Sequence, residues 1–364
     1  MTGRAAFAGC AGMICFESRL TSFVRGGFAG LMSKREEYGE AAGTGAGAAA
    51  SPEVVTFGET MALIMPNQNK SIEFAKSFES SFGGAESNLA IGLARLGVRA
   101  GWFSRLGNDP FGRMICKGIR GEGVDVSRVS LHDGESTGLM LRETAWGRSS
   151  VYYYRRNSAA SRMKPDDLDE EYIAGAKLLH ISGITPALGE SCRETVFAAV
   201  EMAKRNGVKI SFDPNLRLKL WTIEEARPVL LKLAEAADYF LPGFDELQLL
   251  YGVSDFDEMV VQLRRLSAVS VVKGVGQESA VVLPDRVERI PFFPAEKVVD
   301  TVGAGDGFAA GFLYGVVRGL PLAEAVRVAS LVGSLVVQGV GDWESIPTLD
   351  MVETELGKRK HIER

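Results

Sequence analysis

Asp300-Thr-Val-Gly-Ala-Gly-Asp306 runs directly into Gly307-Phe-Ala-Ala-Gly-Phe-Leu-Tyr314. The stretch pairs a glycine-rich turn with the start of an apolar helix, predicted over Ala304–Val317. Glycines let the chain turn tightly and present bare N–H groups. A helix start adds unpaired donors and a partial positive charge. Gly303, Ala304 and Gly305 are therefore candidate anion donors. Asp306 is odd beside them, because a carboxylate repels an anion unless it has a task. Two roles fit it: accepting a proton from an attacking hydroxyl, or favouring the helix start by charge–dipole attraction. The stretch matches neither G-x-G-x-x-G nor a Walker A loop, and no Walker A loop occurs elsewhere. Dinucleotide and P-loop chemistry are thereby disfavoured.

Upstream of this stretch the chain alternates strand and helix. Val54–Phe57 reads as a buried strand and Glu86–Leu96 as a helix stopped by Gly97. Strands are predicted near residues 99–104, 177–181, 208–212, 238–241, 269–273 and 280–283. Helices fall between them near 110–120, 191–205, 223–236 and 256–266, and a last one follows over 322–337. Such alternation argues for a parallel sheet with helices on both faces. Residues 137–156 break the rhythm. They are rich in β-formers, interrupted at Trp146-Gly-Arg-Ser149, and read as a hairpin. With residues 61–80 they suggest a small β lid. Ligands of such sheets bind beyond the carboxyl ends of the strands.

Loops in those places hold further candidates. Phe82-Gly-Gly-Ala-Glu-Ser-Asn88 joins a strand-like stretch to a helix. Gly84 there would allow close approach of a polyol and Asn88 could bond a hydroxyl, although a tight turn with an N-cap explains the same residues. Arg155 ends the aromatic run Tyr152-Tyr-Tyr154, and Arg217 closes Asp213-Pro-Asn-Leu-Arg217. Arginine suits bidentate recognition of carboxylate or phosphate; a solvated hairpin end is the plain alternative for Arg155-Arg156. Lys273-Gly-Val-Gly276 closes another strand, and its backbone could lie along a nucleotide or form an ordinary loop.

Bulk properties narrow the field. The 364 residues carry a formal net charge of −5, which gives no electrostatic reason to bind nucleic acid. Four cysteines at 10, 15, 116 and 192 form no C-x-x-C pair and read as free thiols in a reducing cytoplasm. Three histidines leave little scope for a histidine-rich metal centre, and His180 reads as a packed strand residue. No stretch has the length and apolarity of a membrane span. Residues 1–52, almost all Ala and Gly over 40–51, read as a disordered tail. The folded domain is expected over 53–350, with lid segments near 61–80 and 134–158 and a polar tail over 351–364.

Together, Gly83-Gly84 through Asn88 near the start and Asp300–Asp306 near the end make residues 54–347 resemble the ribokinase/PfkB family of carbohydrate kinases. The resemblance implies a ribokinase-like three-layer α/β sandwich with a mainly parallel central sheet and a small β-sheet lid. It implies Asp306 as general base and the Gly303–Gly305 amides as an anion hole. Within the family, residues 152–160, 213–217 and Gly341-Asp-Trp-Glu344 look most like 2-keto-3-deoxygluconate kinases. That likeness implies an acceptor pocket of Gly84, Asn88, Tyr153, Arg155, Ile184, Arg217 and Asp342. ATP would lie against Asn215, Lys273, Gly274, Gly276, Gly303, Gly305 and Ser330, with Mg²⁺ near Glu246. Two departures stand out: Gly243 replaces the Asn of a frequent Asn-x-x-Glu motif, and Ser330 replaces a frequent Asn near adenine. Fructokinases also carry both arginines, so a fructokinase or another sugar kinase is the nearest alternative, with a nucleoside kinase behind it. A non-catalytic sugar or nucleotide sensor on the same scaffold is the rival from another class. A cytoplasmic homo-oligomer is expected.

Overall fold

The computed structural model describes residues 51–68, 70–145 and 148–357. Residues 1–50 of the predicted tail, residues 146 and 147 of the hairpin break, and residues 358–364 lie outside them. Eight strands form the central sheet, in the order Val287–Pro291, Glu278–Val282, Val269–Val275, Tyr239–Phe240, Lys209–Asp213, Leu178–Ser182, Val54–Phe57, Ala100–Phe103. The six from Val269–Val275 to Ala100–Phe103 pair in parallel. The edge is an antiparallel meander through residues 278–282 and 287–291; its last strand is one that the sequence pattern does not predict.

Strand residues alternate between two cores, as a two-sided sheet demands. Val55, Phe57, Leu179, Ile181, Ile210 and Phe212 face the helices Glu190–Arg205, Ile223–Ala236, Phe244–Tyr251 and Phe256–Leu263. Val54, Leu178, Leu241 and Val271 face Ala85–Arg95, Pro110–Gly121, Ala304–Val317 and Leu322–Val336. Within that second layer Gly307, Gly311 and Gly315 recur every four residues along one helix face. A Cβ at Gly311 would come within 2.8 Å of the Ala329 backbone. The last two long helices thus pack backbone to backbone, which explains an apolar region that is too glycine-rich and too interrupted to be a membrane span. Among the described residues no helix is long and apolar enough to cross a membrane.

A separate four-stranded sheet, in the order Phe78–Gly83, Met61–Pro66, Leu139–Ala145, Arg148–Tyr154, sits over one end. Met61, Leu63 and Met140 form its small core. At the C-terminus a polar tail is predicted from residue 351, but Leu349–Glu355 is a helix. Val352 anchors it by packing among Leu96, Val328 and Leu331. A single buried valine in a charged stretch leaves no periodic signal, hence the misplaced boundary.

Candidate active site

A cleft of about 1600 Å³ opens where the lid meets the carboxyl ends of the sheet strands. Asp306 lies in the first turn of Ala304–Val317, behind Gly303 at φ 76°. A Cβ at Gly303 would overlap the backbone carbonyl of Asp342, so only glycine lets these two loops touch. Gly305 by contrast faces open space, with only the Lys273 ammonium at 4.0 Å from where a Cβ would stand. The Gly305 and Asp306 amides make no hydrogen bond within the described residues, leaving two donors aimed outward at a helix start. Asn88 Nδ2 donates to Asp306 Oδ2 at 2.8 Å. Burial pushes the Asp306 carboxyl up to about 7; Asp213 and Asp342 add to this, against the Asn88 bond and the Arg217 charge.

On the sheet side, Lys273 Nζ donates to Asp213 Oδ2 at 2.7 Å. Burial pulls this ammonium's pKa down, but Asp213 and Glu246 more than offset it, so the net shift is upward. Asn215 lines the cleft in a left-handed conformation, φ 38°, and its amide donates to Asp213 Oδ1 at 3.0 Å. Glu246 also lines the cleft, but backbone amides engage both its oxygens: Gly243 N and Leu216 N donate at 2.7 Å each. No group of three or more His, Cys, Asp or Glu side chains among the described residues is arranged to hold a metal ion. Gly274, within the strand bulge, and Gly276, just past it, adopt φ 77° and 68° and are not part of the cleft wall. Ser330 is likewise off the cleft, buried, with its hydroxyl accepting from Phe293 N at 2.8 Å. His180 is a packed strand residue: it bonds Ser211 at 3.1 Å, and burial lowers its imidazole to about 4.

The lid side gathers Gly84, Tyr153, Arg155, Ile184, Arg217 and Asp342 around the same space. Arg155 is not free. Its Nε donates to Glu59 Oε2 at 2.6 Å, and Nη2 bonds the same carboxylate. Glu59 is fully enclosed and also accepts from the Ser158 hydroxyl. Sequence reasoning missed Glu59, although a Gly-Glu pair directly after the first strand sits where a sheet of this class binds ligands. The Arg217 side chain is exposed and makes no hydrogen bond or ion pair among the described residues, while its charge reaches Asp306 and Asp342. Burial raises Asp342 to about 7 despite Arg142. Arg142, also missed, runs from a lid strand to Asp300 and towards Asp342. An arginine inside a β-rich segment gives no sign in sequence that it turns inward.

The chain matches the pfkB family carbohydrate kinase model over residues 51–349. It is 38% identical over 315 residues to 2-dehydro-3-deoxygluconokinase of Bacillus subtilis, covering 85% of this chain and 97% of that one. To 5-dehydro-2-deoxygluconokinase of Geobacillus thermodenitrificans it is 33% identical, covering 78% and 87%. A putative ribokinase II from E. coli, solved in complex with ATP and Mg²⁺, superposes with a TM-score of 0.78 at 26% identity, covering 85% of this chain and all of that one. The central sheet with helices on both faces is the ribokinase-like α/β fold, and the chain belongs to the pfkB family of carbohydrate kinases.

Proposed function

We propose that the protein transfers the γ-phosphoryl group of ATP to the terminal hydroxyl of 2-keto-3-deoxygluconate. The observation that carries this reading is Asp306, held by Asn88 at the foot of a cleft that also contains Arg155 and Arg217. A carboxyl near 7 ionises at working pH yet remains basic enough to take a hydroxyl proton. Asn88 fixes which way the carboxylate points. Of the amides of residues 303–305, that of Ala304 donates to Thr301 O at 3.4 Å, so Gly303 and Gly305, with the free Asp306 amide, would meet the transferred group, and the helix start favours its negative charge. Lys273 brings a buried positive charge to the same side, balanced by Asp213 until phosphates enter. Glu246 retains an unused lone pair on each oxygen and would hold Mg²⁺ through water; when bound, the ion neutralises phosphate charge. Arg217, uncommitted to any carboxylate, is the natural partner for the acceptor's acid group. Asn215 would contact nucleotide. The 38% identity to a 2-dehydro-3-deoxygluconokinase supports the substrate. We further place the enzyme in the cytoplasm as a homo-oligomer.

A second reading has its own observation. Glu59 already neutralises Arg155, so the lid presents a dipolar pair rather than a bare cation. Such a wall suits hydroxyls, as in fructose or a ketodeoxy sugar without a carboxylate. Assaying ATP turnover with 2-keto-3-deoxygluconate, 5-keto-2-deoxygluconate and fructose separates the two; higher kcat/KM for fructose sinks the first. Asp306→Asn should lower kcat by about 10²–10⁴-fold and leave acceptor affinity within about threefold. Wild-type kcat in that variant would remove Asp306 as the base.

A further inference from the structure

Arg142 lies on the lid strand Leu139–Ala145 and is only 7% exposed, in the wall of the cleft. Its Nη2 bonds Asp300 Oδ2, and its Nε donates to Ser149 Oγ at 3.3 Å on the facing lid strand. Nη1 is enclosed, has no hydrogen-bond partner, and stands 3.8 Å from Asp342 Oδ1. Asp300 opens the glycine-rich turn: its Oδ1 accepts from Val302 N at 3.2 Å, and its Oδ2 from Gly341 N at 3.4 Å. Asp342 follows that same Gly341 and presses its carbonyl against Gly303. One guanidinium from the lid therefore meets both loops that form the far wall.

Stability alone does not account for this arrangement. A buried ion pair can usually be replaced by well-packed apolar residues at no loss of stability. An enclosed N–H group without an acceptor is a further cost. A shift of roughly 1 Å would bring Nη1 into hydrogen-bond range of Asp342.

We propose that Arg142 is a positioning residue: its guanidinium clamps Asp300 and Asp342, so that seating of the lid sets the glycine-rich turn and the acceptor wall together. This rests on the reading of residues 303–305 as the phosphoryl hole and of Asp342 as an acceptor contact. Lid closure over a sugar then shortens the Nη1–Asp342 contact and aligns the amides in one movement. The charged groups acting on Asp342 are Arg142 and Arg217, which pull its carboxyl down, and Glu344 and Asp300, which push it up. An ionised Asp342 accepts from a sugar hydroxyl, so acceptor KM should fall as pH rises through about 7. Without Arg142 that midpoint moves to higher pH.

The test is steady-state kinetics from pH 5.5 to 9 on the full chain, using whichever acceptor the wild type turns over fastest, for wild type, Arg142→Gln and Arg142→Lys. Arg142→Gln should lower kcat/KM for the acceptor on the order of 10²-fold. It should also move the KM midpoint up by about one pH unit, leaving ATP affinity within about threefold. Arg142→Lys keeps a positive charge beside Asp300, so it should fold, recover part of kcat, and hold the midpoint near the wild-type value. Unchanged kcat/KM in Arg142→Gln overturns the proposal. So does an equal loss of ATP affinity with an unmoved midpoint in both variants, the pattern of a purely structural role. Failure of the base reading would appear separately, as wild-type kcat in Asp306→Asn.

Discussion

The two ends of the cleft are built from different materials. The end we propose for the phosphoryl group is backbone: glycines, amides and a helix start, all within residues 303–306. The end we propose for the acceptor is a set of side-chain pairs between distant residues, Glu59 with Arg155 and Arg142 with Asp300. Backbone donors recognise what every phosphotransfer shares, whereas paired side chains can be exchanged one at a time to suit a different acceptor. Chemistry should therefore be brittle at the first end and selectivity adjustable at the second.

Gly303→Ala gives the sharpest break. Its Cβ would strike the Asp342 carbonyl in a left-handed backbone, displacing both loops. Turnover should fall by about 10²-fold or more, with a lower Tm. Gly305→Ala, which points into open space, should keep Tm within about 2 °C of wild type. Equal Tm losses in the two variants would show that the backbone end is not the specialised one.

Glu59→Gln probes the acceptor end. It strands a mostly buried guanidinium, so denaturant unfolding should show a loss on the order of 3 kcal/mol. The freed Arg155 should also raise the kcat/KM ratio of carboxylate over neutral acceptors by roughly tenfold. An unchanged ratio would mean that the pair supports the lid without choosing the substrate.

The smallest effect concerns stability. Asp306 has a folded-state pKa of about 7, above its ordinary value of 3.8. The folded protein thus holds a proton that the unfolded chain releases. Its contribution is fully present below pH 3.8 and is lost as pH rises through 7. Asp306→Asn removes that loss and should raise Tm by about 2–6 °C at pH 8, with little change near pH 4, in thermal melts. A rise of the same size at both pH values would contradict the sign.

The same division explains what was legible in sequence. The turn at 303–306 and the helix Ala304–Val317 could be read because glycine and apolar content are local signals. Most parallel strands could be read too, since burial on both faces leaves unbroken apolar runs. The helix Phe244–Tyr251 was hidden because its N-cap, Gly243, has no capping side chain; only Glu246 answers, by accepting from Gly243 N at 2.7 Å. Glu59 and Arg142 were hidden because their meaning lies in partners 96 and 158 positions away. Arg155 was visible as an arginine at a strand end, but its neutralisation was not.

The lid strand Phe78–Gly83 passes through Gly84 directly into the helix Ala85–Arg95, whose first turn ends at Asn88. Four residues separate the end of the lid from Asn88, whose side chain bonds Asp306. Cover and proposed base are thus joined by a short stretch of chain. A tilt of the lid would act on the root of this helix through Gly84 alone. A lid grafted from a relative to change acceptor choice would have to bring this helix start with it, or the transplanted cover would close over a misdirected carboxylate.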